Sequence, residues 1–165
     1  MKYLLLTIFF LFPGKAFAEA PSAFVIEDGK KYYELGSSLE YLEDESGKLG
    51  LDDITSGNPN LKWEKSRERV PGFGFTRSAY WFRFTLKNET SFKGGRDWIL
   101  EISYPILNLI ELYSINQNGK PEVKRTGTLF PFSQRDMPNH NYIFAMPDLS
   151  GQKTYYIRIK TETAL

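Results

Sequence analysis

The run Tyr80-Trp81-Phe82-Arg83-Phe84-Thr85-Leu86 constrains this chain more than any other stretch. Strict alternation over a strand places Tyr80, Phe82, Phe84 and Leu86 on one side and Trp81, Arg83 and Thr85 on the other. The first set belongs in a core. The second carries a tryptophan and an arginine, more than solvation of a strand requires, and so marks a candidate binding surface. Three later segments repeat the pattern. Trp98, Leu100 and Ile102 oppose Glu101 and Ser103, Ile110 and Leu112 oppose Glu111 and Tyr113, and Tyr155, Ile157 and Ile159 oppose Tyr156, Arg158 and Lys160.

The strands expected on this basis are Ser38 to Asp44, Ala79 to Leu86, Trp98 to Ser103, Leu109 to Ile115, Glu122 to Lys124, Tyr142 to Met146 and Thr154 to Thr161. Turn clusters separate them at Asn88 to Gly95, Asn116 to Gly119 and Asp148 to Gly151. Leu51 to Ile54 reads as one helical turn stopped by Gly57, Asn58 and Pro59. Asn60 to Arg77 reads as a long polar surface loop. No helix-period stretch competes, so the expected class is all-β, an antiparallel sandwich or jelly roll. Trp98, Tyr104, Phe82 and Phe84 are expected inside it, with Trp98→Ala costing about 3–5 kcal/mol.

At the N-terminus Lys2, the apolar run Tyr3 to Phe12 and the small-residue sequence Ala16-Phe17-Ala18 have the order of a secretory signal peptide. The expected organisation is therefore a signal peptide over 1–18, a lead over 19–37 and one domain over 38–165. The apolar run falls short of the roughly 20 residues that span a bilayer, so no transmembrane segment is expected in the mature chain. Without Lys2 and Lys15 the chain has 19 basic against 20 acidic residues, which gives no electrostatic footprint for nucleic acid or an anionic membrane. Export without a single cysteine points to the bacterial periplasm, where a larger domain relies on its core rather than on disulfides. In that setting Asn88-Glu89-Thr90 is a turn rather than a glycosylation site.

Several segments together resemble one family. They are Tyr80-Trp81-Phe82-Arg83 with Leu86 and Asn88, Trp98-Ile99-Leu100-Glu101, Tyr104-Pro105, Leu107-Asn108, Ile110-Glu111-Leu112-Tyr113, Gly127, Pro131-Phe132-Ser133-Gln134-Arg135 and Tyr155-Tyr156-Ile157-Arg158. In order and spacing they resemble the type 2 extracellular domain of the bacterial 7TM-DISM receptors, seven-transmembrane receptors with diverse intracellular signalling modules. Leu39 to Asp44 is similar to that family's opening strand. The resemblance implies a jelly roll similar to carbohydrate-binding modules, acting as the periplasmic input of a membrane receptor. Such receptors continue into transmembrane helices and an output module, whereas this sequence stops at Leu165. It therefore reads as a piece of a receptor or as a freestanding relative working with a separate membrane partner.

The polar strand face offers Trp81 as a stacking platform, Arg83 and Arg158 as charged donors and Glu101 as an acceptor, a set suited to a sugar or another small polar ligand. The same residues fit a cross-strand charge ladder covered by Trp81, in which each pair contributes roughly 0.2–1 kcal/mol. Arg135, in the loop after Phe132, is either a ligand clamp or a residue that satisfies loop carbonyls. The alternative function is docking of a protein partner through the polar face. His140, the only histidine, lies near Ser133 and Asp136, but no nucleophile-elbow pattern accompanies it, so no catalysis is expected. Neither Glu43-Asp44-Glu45 nor Asp52-Asp53 has the ligand spacing of a calcium loop, and Gly72-Phe73-Gly74 does not open a helix, so no metal, phosphate cradle or other cofactor is expected.

Overall fold

In the computed structural model, which describes residues 22–91, 98–116, 118–146, 149 and 151–165, the alternating run around Trp81 becomes a strand of 10 residues inside the larger of two sheets. The strands are β1 (Ala23–Ile26), β2 (Glu40–Asp44), β3 (Glu64–Lys65), β4 (Ala79–Asn88), β5 (Trp98–Ile102), β6 (Leu109–Ile115), β7 (Pro121–Thr126), β8 (Tyr142–Met146) and β9 (Gln152–Lys160), with one short helix, α1 (Leu51–Thr55). The large sheet has the order β3-β2-β4-β9-β6-β7, and β5 pairs with β8 in the small one. The chain crosses from β4 to the small sheet at β5, returns for β6 and β7, crosses again at β8, and returns to insert β9 between β4 and β6. The all-β sandwich expected from alternation is therefore the observed class, and every expected strand is present with ends shifted by no more than a few residues.

All pairings among the described strands are antiparallel except one. β1 runs parallel to β4 along Thr85 to Asn88, next to the stretch Ala79 to Arg83 where β2 pairs, so two short strands share one edge of β4. The expected lead over 19–37 thus contributes a strand, and its Ile26 enters the core with Tyr33 and Leu35 packed alongside. Its short Phe-Val-Ile run carried too few residues to show a period. The expected signal peptide over 1–18 lies outside the described residues. No helix among the described residues is long and apolar enough to cross a membrane.

The main core forms between the sheets from the inward sets: Tyr80, Phe82, Phe84 and Leu86 of β4, Ile110 and Leu112 of β6, Tyr155, Ile157 and Ile159 of β9, and Tyr142, Phe144 and Met146 of β8. Trp98, Leu100 and Ile102 of β5 pack against it while keeping part of their surface in solvent. Tyr104, expected inside with them, sits instead in the loop after β5 with its ring exposed, because the strand has already ended at Ile102.

A second cluster lies on the other side of β4. Trp81 is fully buried there with Leu42 and Ile54, and Leu49, Leu51, Leu61, Trp63, Tyr113 and Tyr156 close around them. The cover is the segment from Glu45 to Trp63. Its turn is organised by Asp44, whose carboxylate accepts hydrogen bonds from the Ser46 hydroxyl (2.6 Å) and the Leu49 N–H (3.0 Å). α1 then delivers Ile54. The stretch expected to be a polar surface loop, 60–77, also contributes to packing: it supplies β3, brings Trp63 over Arg83, and stacks Phe73 on Tyr80 with ring centroids 4.2 Å apart. Polar residues separate these aromatics in sequence and conceal their role.

Burial on both faces makes β4 the most costly strand to perturb. We predict that Trp81→Ala and Phe84→Ala, one on each face, both lose about 3–5 kcal/mol in urea unfolding. Trp98→Ala should lose less than the sequence alone implied, because Trp98 is only half-buried. A Trp81→Ala protein as stable as wild type would contradict the second cluster.

Candidate functional site

The five residues expected to hold ligand fall into two separate groups. Trp81, Arg83 and Arg158 lie on the outer face of the large sheet, beneath the 45–63 cover. The Trp81 indole stacks on Tyr113, with centroids 5.5 Å apart and planes 28° apart, and has no exposed surface for a ligand. The reading of Trp81 as an open stacking platform is therefore corrected. Leu49, Ile54 and Leu61, each isolated among polar neighbours in sequence, converge on the ring and displace solvent.

Register explains the two arginines. Arg83 lies directly across from Glu40 of β2 and binds it through Nε at 2.6 Å, with its guanidinium 4.3 Å from the centroid of the Trp63 ring. Arg158 lies across from Glu111 of β6, and Glu111 across from Arg125 of β7. The Glu111 carboxylate accepts from Arg125 Nε at 2.8 Å and from Arg158 at 3.0 Å, while the other end of Arg158 donates to the Gly47 carbonyl at 2.8 Å. For Arg83 and Arg158 the geometry is the charge ladder. Arg158 also ties the cover to the sheet through Gly47. The cover occupies the Trp81 part of this face, whereas Arg125 and Val123 of β7, on the same face, remain exposed.

Glu101 and Arg135 belong to the opposite side of the molecule. Glu101 projects from the outer side of the small sheet and accepts from Asn141 Nδ2 at 2.6 Å and from the Ser103 hydroxyl at 3.1 Å. Arg135 donates to the carbonyls of Asn139 and His140 and sits over the rings of Phe132 and Tyr142, with centroids 4.8 and 4.6 Å away. Its geometry is that of an arginine satisfying loop carbonyls. Segment 139–141 brings these two residues into one neighbourhood, far from Trp81.

One concave feature among the described residues lies between the sheets. The small sheet covers only part of the large sheet's inner face, and beside β8 a cleft of about 550 Å³ opens. Cross-strand register sets its lining. Ser114 pairs with Glu122 and Leu112 with Lys124 across β6 and β7, and Ser114 pairs with Tyr155 across β6 and β9, so these side chains share one face. Lys153, two residues before Tyr155, joins them, and Asn116 and Asn118 stand at the β6–β7 turn. Leu112, Met146 and the buried Tyr155 form an apolar floor, the tyrosine stacked on Phe84 with centroids 5.4 Å apart. Polar groups form the rim. The volume falls within the roughly 300–1,000 Å³ of small-molecule sites, and an apolar floor with a few fixed polar groups is their usual chemistry.

One wall is held by an ion pair. Lys124 Nζ donates to Asp136 (2.5 Å) and to the Ala145 carbonyl (2.9 Å), and the Ala145 N–H donates to the same Asp136 oxygen (3.2 Å). The pair thereby satisfies the edge of β8 that faces away from β5 and blunts it against stray strand pairing. Sequence reasoning missed Ser114, Glu122, Lys124 and Lys153 as site residues. The available signal was the change along the inward sets, from Ile110 and Leu112 to Ser114 and from Ile159 and Ile157 through Tyr155 to Lys153, which marks an inner face that turns polar at one end.

The ladder gives a pH signature. Burial pushes the Glu111 carboxyl up, but the hydrogen bonds from Arg125 and Arg158 outweigh this and hold it below the usual glutamate range. A carboxyl lowered in the folded state contributes stability that is fully present above its unfolded pKa of about 4.3 and is lost as pH falls through the folded value. We predict that the stability deficit of Glu111→Gln against wild type is largest at neutral pH and shrinks at pH 3. A deficit independent of pH would contradict the ladder.

Neither the curated proteins nor the solved structures contain a match to this sequence. A family model does match, over residues 36–165, which takes in β2 to β9, the cluster around Trp81, the main core apart from its part before residue 36, and the cleft. On that match the chain belongs to the 7TMR-DISM extracellular 2 family.

Proposed function

We propose that this chain is a periplasmic sensory domain that binds a small polar ligand, carbohydrate being the preferred class, in the cleft between its sheets. Family membership supplies the coarser part: an extracellular sensory domain of a receptor, from a family not known for enzymes. The cleft carries the finer part. A sugar-like ligand lays an apolar C–H face on Tyr155, Leu112 and Met146 and turns its hydroxyls to Ser114, Glu122, Asn118 and Lys153. This moves the site from the strand face read in the sequence to the inner face of the same sheet.

The test is thermal unfolding of residues 19–165, which hold every element of the fold, against sugars, glycan fragments and small carboxylates. A ligand at 100 times its dissociation constant adds about 2.7 kcal/mol, a rise of about 5–11 °C for a domain of this size. The expected result is a saturable rise that Glu122→Ala or Lys153→Ala abolishes, since both side chains line the cleft. A flat panel on a folded protein, or a rise indifferent to both substitutions, would contradict the proposal.

A further inference from the structure

Cross-strand register sorts the cleft into rows. Glu122, Ser114 and Tyr155 share one row, and Lys124, Leu112 and Ile157 share the next, towards the packed core. In the other direction the same register, continued by two residues, sets Lys153 of β9 across from Asn116. Beyond Asn116 comes Lys120, whose carbonyl accepts from the Asn116 N–H at 2.9 Å. Residues two apart on a strand share a face, so Glu122 has lysines on either side of it along the chain and a third across the sheet.

The partners of these groups decide which charge is left over. Lys124 is taken up by Asp136 and the Ala145 carbonyl. Glu122 accepts from Asn116 Nδ2 at 3.2 Å, a neutral donor that leaves its charge in place. Lys153 and the exposed Lys120 form no ion pair among the described residues. Glu89, the acid that follows β4, is paired with Lys87 at 2.5 Å. Three lysines therefore stand against Glu122 and Asp136, an excess of one positive charge. Lys153 is the lysine placed to use it: it lines the cleft, is half-buried, and holds its Nζ 5.7 Å from the centroid of the Tyr155 ring, at the border of the apolar floor.

A single surplus cation beside a retained carboxylate suits a ligand with one negative charge. A carboxylate on the ligand meets Lys153 in a charge-assisted hydrogen bond and leaves Glu122 to accept from hydroxyls. A phosphate, close to dianionic at neutral pH, would bring a second charge towards Glu122.

We propose that the ligand of this cleft is an acidic sugar, a uronic-acid unit whose carboxylate pairs with Lys153 while Glu122 accepts from its hydroxyls. This rests on the cleft being the ligand site and adds the charge of what it holds.

The test is calorimetric titration of residues 19–165 at neutral pH and low salt with glucuronate and glucose, galacturonate and galactose, mannuronate and mannose, and with glucose 6-phosphate. In at least one pair the acid should bind about tenfold or more tightly than its neutral partner, and added salt should narrow the gap. Two substitutions should move the acid-to-neutral ratio in opposite directions: Lys153→Gln lowers it towards one, and Glu122→Gln raises it. Lys153→Arg should keep the preference. Neutral sugars that bind as well as their acids, a ratio unmoved by Lys153→Gln, or tighter binding of glucose 6-phosphate than of any uronate would overturn the acidic ligand while leaving the cleft as a sugar site. No binding by any sugar, acidic or neutral, would overturn both readings.

Discussion

Strand β4 is buried on both faces, and the remaining architecture follows from how that burial is achieved. On one side Tyr80, Phe82 and Phe84 meet β8 and β9 in the main core. On the other, Trp81 needs a cover, and the chain supplies it with the 45–63 segment, fixed by Asp44 at its start and by Arg158 through Gly47. A fully buried tryptophan contributes roughly as much as any side chain can, so the cover belongs to the fold and is not a lid over a site. The arginines of that face are matched to carboxylates directly across from them, which is how buried charge is tolerated.

That closure is why the proposed ligand site lies on the inner face. The small sheet is too narrow to cover the large one, and where β8 ends its cover the inward side chains of β6 and β9 change from apolar to polar beside the polar inward set of β7. The cleft thus arises from the same alternation that builds the core, continued one or two residues past the packed layer. Lys124 belongs both to this cleft and to the clamp on Asp136 and Ala145, so the charge at the rim is physically joined to the 127–141 loop. On the proposed function, ligand acts only if it favours one arrangement over another, and Lys124 is the side chain through which the cleft and that loop touch.

Much of this was legible in the sequence. Period-two alternation located β4, β5, β6, β8 and β9 almost to the residue, because each carries at least two inward apolar positions. The inward placement of Phe82, Phe84, Tyr155 and Ile157 followed from the same rule. The state of the outer face was not legible. Trp81, Arg83 and Arg158 have the composition of a binding surface and of a buried ladder alike, and the difference lies in Leu49, Ile54, Leu61 and Trp63, which show no period because they cap rather than form a strand. The cleft was hidden for another reason: Ser114, Glu122, Lys124 and Lys153 become neighbours only through the β7-β6-β9 order, which alternation within one strand does not encode.

The central claim is that the outer face of β4 is closed while the inner cleft is open. It is tested most directly by the native-state labelling rate of single cysteines in this cysteine-free chain. Thr85→Cys on the outer face should react with maleimide only as fast as the protein unfolds, whereas Lys153→Cys at the cleft should react at close to the rate of an unfolded control. Rapid labelling at 85 together with protection at 153 would contradict the account and return the ligand site to the strand face.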